Sequence, residues 1–274
     1  MKKAMFLWLG LMVAMISCAQ QKPKVKGNKL VSEIFNTLED FNSIEISDNL
    51  VVHIMQTGNN GYHLKADGNL IDVVKFNVMD GVLKIYSTHH ITSFKELEIT
   101  LTFDEIDAIT LLNDSKLVSK KRLEFKRWDL KAMDEATYDI EASARMANLN
   151  LHSSSEGKLR LNCDIVEVFM DQNAFLKGNI QADNITLRIR DRADIEIGGE
   201  VVKLKLDITG TSDVRARKLK SVYAELNAVN SPDIHLSASK ELKIDAKGKS
   251  QIYVYGNPEI KIEALQDKSQ IIKK

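Results

Sequence analysis

From about residue 107 onward, apolar and polar side chains alternate in short runs, and the runs recur. Each unit opens on a small residue, then a variable one, then an apolar one. The series is Ser115-Lys116-Leu117, Ala136-Thr137-Tyr138, Gly157-Lys158-Leu159, Ala174-Phe175-Leu176, Ala193-Asp194-Ile195, Ser212-Asp213-Val214, Pro232-Asp233-Ile234, Ser250-Gln251-Ile252 and Ser269-Gln270-Ile271. Its apolar positions lie 21, 21, 17, 19, 19, 20, 18 and 19 residues apart. A second alternating stretch recurs upstream, as in Leu149-Asn150-Leu151, Leu187-Arg188-Ile189, Leu204-Lys205-Leu206 and Leu242-Lys243-Ile244. Period-two alternation predicts strands with one buried face, and no segment shows a capped 3.6-residue period.

A repeat this short is about half a propeller blade, and a sandwich has no reason to repeat one motif in register. Stacked coils do. The pattern therefore predicts an all-β fold, a right-handed parallel β-helix of about nine short coils over residues 107–274. Neighbouring coils lie only ~4.8 Å apart, so a small residue is needed where the chain turns inward. Residues 38–106 alternate without the motif, and Asp80-Gly81 between Val78 and Leu83 marks a hairpin. This region is expected to be antiparallel β-structure capping the exposed strand edges at the N-terminal end.

The chain opens with Lys2 and Lys3, followed by an apolar run from Ala4 to Ile16. At ~1.5 Å per residue that run is too short to span a bilayer and reads as a secretory signal over residues 1–17. It ends at Met15-Ile16-Ser17-Cys18, which resembles the lipobox of bacterial lipoproteins. That resemblance implies lipidation of Cys18, with residues 18–37 as a flexible tether. Ala19, and the absence of acidic residues directly after Cys18, favour an outer-membrane anchor facing the periplasm over one exposed at the cell surface.

Three stretches resemble one family of bacterial envelope proteins: Phe41-Asn42-Ser43-Ile44, Asp80-Gly81-Val82-Leu83-Lys84-Ile85, and the closing run from Gly248 through Ile252, Tyr253 and Tyr255 to Pro258. The family is the auto-transporter adhesin, head GIN domain, and the resemblance spans about residues 38–265. It implies a secreted or lipid-anchored β-helix and no agreed functional residues. The internal corners depart from the family's Gly-Ser-Gly pattern at Asn113-Asp114-Ser115, Ser155-Glu156-Gly157, Arg192-Ala193 and Asn230-Ser231.

With 38 basic and 38 acidic residues the chain has no basic excess, so a nucleic-acid partner is not expected. The histidines show no metal-ligand spacing: His89-His90 falls in a polar turn, and no metal or other cofactor is expected. Cys163 alternates as an inward or corner residue, which suits an inert thiol. Polysaccharide cleavage is the enzymatic alternative, with Asp171, Arg188, Arg190, Asp191 and Arg192 as its candidate cluster. The short coils leave no loops to wall a cleft, so no catalytic residue is assigned and the chain is read as a non-enzyme. The leading expectation is a binding or structural module held at the membrane by its anchor. An envelope protein or glycan would be its partner, with Arg188, Arg190, Lys203, Lys205, Arg215 and Arg217 as the binding surface.

Overall fold

A computed structural model of the chain describes residues 22–274. Strands dominate them, and the one helical element among them is a 3-10 turn at Gly68–Leu70. Cys18 and the signal segment lie outside the described residues.

The repeat winds into a solenoid of about nine turns. In one turn, residues 137–141 run along a first face, 142–144 along a short second face and 146–151 along a third, and 152–155 turn back. Successive turns pair in parallel. One inward row runs Val52, Leu117, Tyr138, Gly157, Leu176, Ile195, Val214, Ile234, Ile252, Ile271. On the third face, Ile44, Ile109, Leu130, Leu149, Val168, Leu187, Leu206, Leu226 and Ile244 form another. Each buried Leu or Ile in such a row contributes roughly 1.5–3 kcal/mol.

The row corrects one repeat. Gly157 occupies the apolar position, and Ser155, not Gly157, is the small corner residue. The neighbouring spacings of 21 and 17 thus become two regular intervals of 19. The physical reason is Tyr138, whose ring fills the volume that a side chain at 157 would need: a Cβ there would lie 1.9 Å from Tyr138 Cζ.

The return corner has a fixed chemistry. Two residues before each corner residue of the repeat the backbone takes positive φ, at Asn113, Asp134, Ser153, Gln172, Asp191, Gly210, Asn230, Gly248 and Asp267, and Asp48 does the same before Leu50. Asn and Asp tolerate this region and bond back to the chain. Asp134 Oδ2 accepts from Asn113 N at 3.0 Å, and Asp191 and Asp267 accept in the same way from Gln172 N and Gly248 N. The small residues that follow are wholly buried. The hydroxyls of Ser115, Ser155, Ser212 and Ser269 have no hydrogen-bond partner, so serine is there for its size.

The cap is built into the solenoid. Residues Ser43–Ile46 and Val51–Gln56 already form its first turn, pairing in parallel with Ala108–Leu111 and Lys116–Ser119. The intervening chain extends both faces and ends them antiparallel, through the hairpin Val74–Met79/Val82–Ser87 and the strand Gly61–Asp67. Asp80 and Gly81 both have positive φ, as the expected tight hairpin requires.

The segment expected to be tether is largely strand. β1 (Lys24–Lys26) pairs in parallel with His90–Ser93, and β2 (Val31–Thr37) pairs antiparallel with Gly61–Asp67. Its polar composition hid this because β2 is an edge strand that buries little. The pin is Asp67, a wholly buried carboxylate that accepts from Lys29 N, Lys95 N and Glu96 N at 3.0–3.1 Å. Desolvation pushes its pKa up, but the backbone N–H groups of Lys95, Lys29 and Glu96 outweigh that and hold it below the usual carboxylate range.

Two outcomes are expected. A Cβ on Gly210, at φ +133°, would lie 2.1 Å from the Asp191 carbonyl oxygen, whereas one on Gly58 meets nothing closer than 3.8 Å. Gly210→Ala should therefore cost roughly 2 kcal/mol or more, against about 1 for Gly58→Ala, read by thermal unfolding. Asp67 has a depressed folded pKa, so its contribution is complete above about pH 4 and is lost as pH falls through the folded value. Asp67→Asn at neutral pH, or acid in the wild type, should speed amide exchange in residues 24–37 before the rest of the chain.

Candidate functional site

Outward positions of the first face make continuous rows. One runs Asp139, Lys158, Lys177, Glu196, Arg215, His235, Tyr253, Ile272. Several charges on this face pair across turns. Glu141 bridges Arg122 and Arg160 at 3.0 and 3.2 Å, and hydrogen bonds from both guanidinium groups hold its carboxyl below the usual range. Lys177 Nζ lies 3.1 Å from Glu196, whose pKa is lowered first by that hydrogen bond. Exposed pairs of this kind contribute little to stability.

The regularity fails in several turns, and one of these breaks lies beside the row just named. The turn holding Arg215 carries extra residues: Gly198 pairs with Lys218 after Glu196 pairs with Arg215, and on the other side Ala216 pairs with Leu236 and Lys220 with Ser237. Residues 217–219 are unmatched by the following turn, a β-bulge of the kind that re-aims side chains. Leu219 turns inward and is fully buried, while Arg217 and Lys218 are exposed. Beside the bulge, Gly198 leaves the outer surface without a side chain. The result is a dent of about 690 Å³ lined by Lys177, Asn179, Arg215, Arg217, Lys218 and His235, with Glu196, Asp213 and Asp233 among them.

Charge in the dent is unbalanced. Arg215 pairs with Asp213, Lys177 with Glu196, and His235 with Asp233 at 3.2 Å. Four Lys and Arg side chains face three carboxylates in the dent, and Arg217 and Lys218 have no ion-pair partner among the described residues. An aromatic strip adjoins them: His235 stacks on Tyr253 at 4.3 Å between centroids, and Tyr255 Oη lies 3.0 Å from His235 Nδ1. Guanidinium and ammonium groups beside flat rings suit a carboxylated or sulfated sugar chain, with the rings stacking on sugar faces.

The six surface cations expected to act together are divided. Arg215 and Arg217 lie in the dent. The other four lie on the third face: Arg188 pairs with Glu167, Lys205 with Glu225, Arg190 stands over the Phe169 ring at 5.4 Å, and Lys203 lines a shallow hollow with Tyr223. The cluster weighed for catalysis is partly assembled. His152 Nδ1 lies 3.1 Å from Asp171, and the residues just before Asp171 and Arg190, Met170 and Ile189, pair in register, but Asp191 is bound to Gln172 N at the corner. Cys163 is buried, its Sγ donates to the Ile165 carbonyl at 3.1 Å, and burial pushes its thiol pKa up, against a nucleophilic role. No group of three or more His, Cys, Asp or Glu able to hold a metal occurs among the described residues. A larger trough of about 1000 Å³ follows the short second face, floored by Ala182, Ser221 and Ala238; its one cation, Lys220, lies 3.9 Å from Glu200. The strip of His235, Tyr253 and Tyr255 is missed in the sequence, where its one signal is shared outward parity.

Comparison with known proteins places the chain. The crystal structure of a "putative adhesin" from Parabacteroides merdae is similar at TM-score 0.68 and 17% identity, covering 92% of this chain and 99% of that one. A "putative adhesin" from Parabacteroides distasonis gives 0.65 and 19%, covering 92% and 97%. A "putative lipid binding protein" from the same organism gives 0.64 and 18%, covering 92% and 99%. No curated protein matches the chain by sequence. The family described as "Putative auto-transporter adhesin, head GIN domain" matches residues 40–173 and 160–258. With most of its length so matched, the chain belongs to that family.

Proposed function

We propose that this chain is a lipid-anchored envelope protein that binds an acidic polysaccharide through the bulge on its first face and catalyses no reaction. Family membership supports an adhesion-like role at the cell envelope. The observation that carries the ligand class is the pair Arg217 and Lys218, pushed out by the bulge without partners and set beside the His235–Tyr253–Tyr255 strip. Cation and aromatic together favour a charged sugar over a neutral one. The anchor is Cys18, in the outer membrane and facing the periplasm.

The alternative, a carbohydrate-active enzyme, is favoured by one contact, His152–Asp171 beside Arg190. That group stands on an open strand face with no walls to enclose a sugar, and hydrolysis would also need a second carboxyl group placed about the bound sugar.

Immobilised polygalacturonate tests the binding reading. Replacing Arg217 and Lys218 together by Ala should weaken retention tenfold or more, and Tyr253→Ala severalfold. Lys203→Ala with Lys205→Ala on the third face should change it little. Unaltered retention of the Arg217/Lys218 variant contradicts the site, and release of reducing or unsaturated ends from the polymer contradicts the non-catalytic reading. For the anchor, Cys18→Ala should abolish incorporation of labelled palmitate and move the protein from the membrane to the soluble fraction.

A further inference from the structure

We propose that the N-terminal end of the solenoid docks on the membrane surface, with Leu30 and Phe94 entering the interfacial layer and lysines around them meeting anionic headgroups. Convergence on Asp67 establishes the patch. The N–H groups of Lys29 and Lys95 both bind Oδ2 of that carboxylate, at 3.0 and 3.1 Å, so residues 29 and 95 are neighbours in space. The side chains next to them, Leu30 and Phe94, are 71% and 53% exposed, and Val31 follows at 38%. Apolar side chains this open at one end of a domain mark a contact surface.

The charge around them matches an anionic bilayer. Lys24, Lys26, Lys29 and Lys95 are all exposed and have no ion-pair partner among the described residues. Of the nearby acids, Asp67 is bound to backbone amides and Glu33 lies 3.1 Å from His63, which leaves Glu96 as a single carboxylate against the four lysines. Basic residues beside exposed Leu and Phe form the combination that seats proteins at headgroup level. Phe94 also borders a cavity of about 660 Å³ lined by Leu50, Val51, Ile91 and Leu97, which opens beside Lys22 and Lys24.

Chain length supplies the occupant. Lys22 Nζ is bound to Asp48 at 2.6 Å and to the Ser87 carbonyl at 2.8 Å, at the mouth of that cavity. Lys22 is four steps along the chain from Cys18, a reach of at most ~14 Å. The headgroup layer is itself ~5–8 Å deep. A lipid on Cys18 therefore holds this end of the solenoid against the bilayer, and the exposed patch surrounds the point of attachment. This reach argument rests on the anchor reading; the patch does not.

The test is quenching in the full chain by vesicles of phosphatidylcholine and phosphatidylglycerol carrying brominated acyl chains. Phe94→Trp, and separately Leu30→Trp, place an indole in the patch, and wild-type emission is subtracted. Trp128, which is wholly buried, serves as the internal reference. Docking predicts at least twofold quenching of the introduced indole at either site, with Trp128 unaffected. Flotation of the wild type with the same vesicles reports the anchor separately. Flotation without quenching overturns docking and leaves the anchor standing. Quenching of Cys18→Ser protein at high lipid upholds docking even if the anchor fails, and no quenching at either site overturns docking in every case.

Discussion

Hydrogen bonding between turns about 4.8 Å apart is the constraint on which everything else in this chain depends. At that spacing every side chain sits on its own equivalents, so each position must accept near-copies of itself above and below. Three consequences follow. Inward rows become ladders of Leu, Ile and Val. Outward rows become alternating charges, as in Arg122–Glu141–Arg160. At the return corner only a small residue fits, preceded by a residue able to hold positive φ.

Function enters where the constraint is relaxed. A perfectly regular solenoid presents a flat face whose charges neutralise one another, which offers little for a ligand to distinguish. The extra residues around Arg217 break that match and free two cations beside the stacked rings of His235 and Tyr253. At the N-terminal end the parallel stack gives way to antiparallel strands, and exposed Leu and Phe collect there because no further turn covers them. The two surfaces lie on different parts of the molecule, so the proposed membrane and polymer contacts do not compete for the same residues.

The sequence made the repeat legible because stacking forces like residues to recur at a fixed interval. It was misread at Gly157, where a glycine in the apolar row is filled from the turn before by Tyr138; no single unit contains that information. The Asp and Asn residues of the return corner were in plain view at 134, 191, 230 and 267, yet their role comes from φ and from bonds between turns. β1 and β2 looked like linker because edge strands bury little, and the turn between them is tied down by one carboxylate, Asp67, 38 residues after Lys29. Among the candidate site residues, Arg215 and Arg217 were singled out in the sequence, but the bulge that unites them with Lys218 and the tyrosines is a one-turn change in register. Period counting records it only as an interval of 20 in place of 19.

The stacking itself is open to a direct distance measurement. Lys158, His235 and Ile272 occupy one outward row, four and six turns apart. Spin labels on cysteines placed at 158 and 235, and at 158 and 272, should give narrow distributions near ~19 and ~29 Å, in proportion to the number of turns. Distances that are broad, or that do not grow by one strand spacing per turn, would contradict a stack in which each turn rests in register on the one before it.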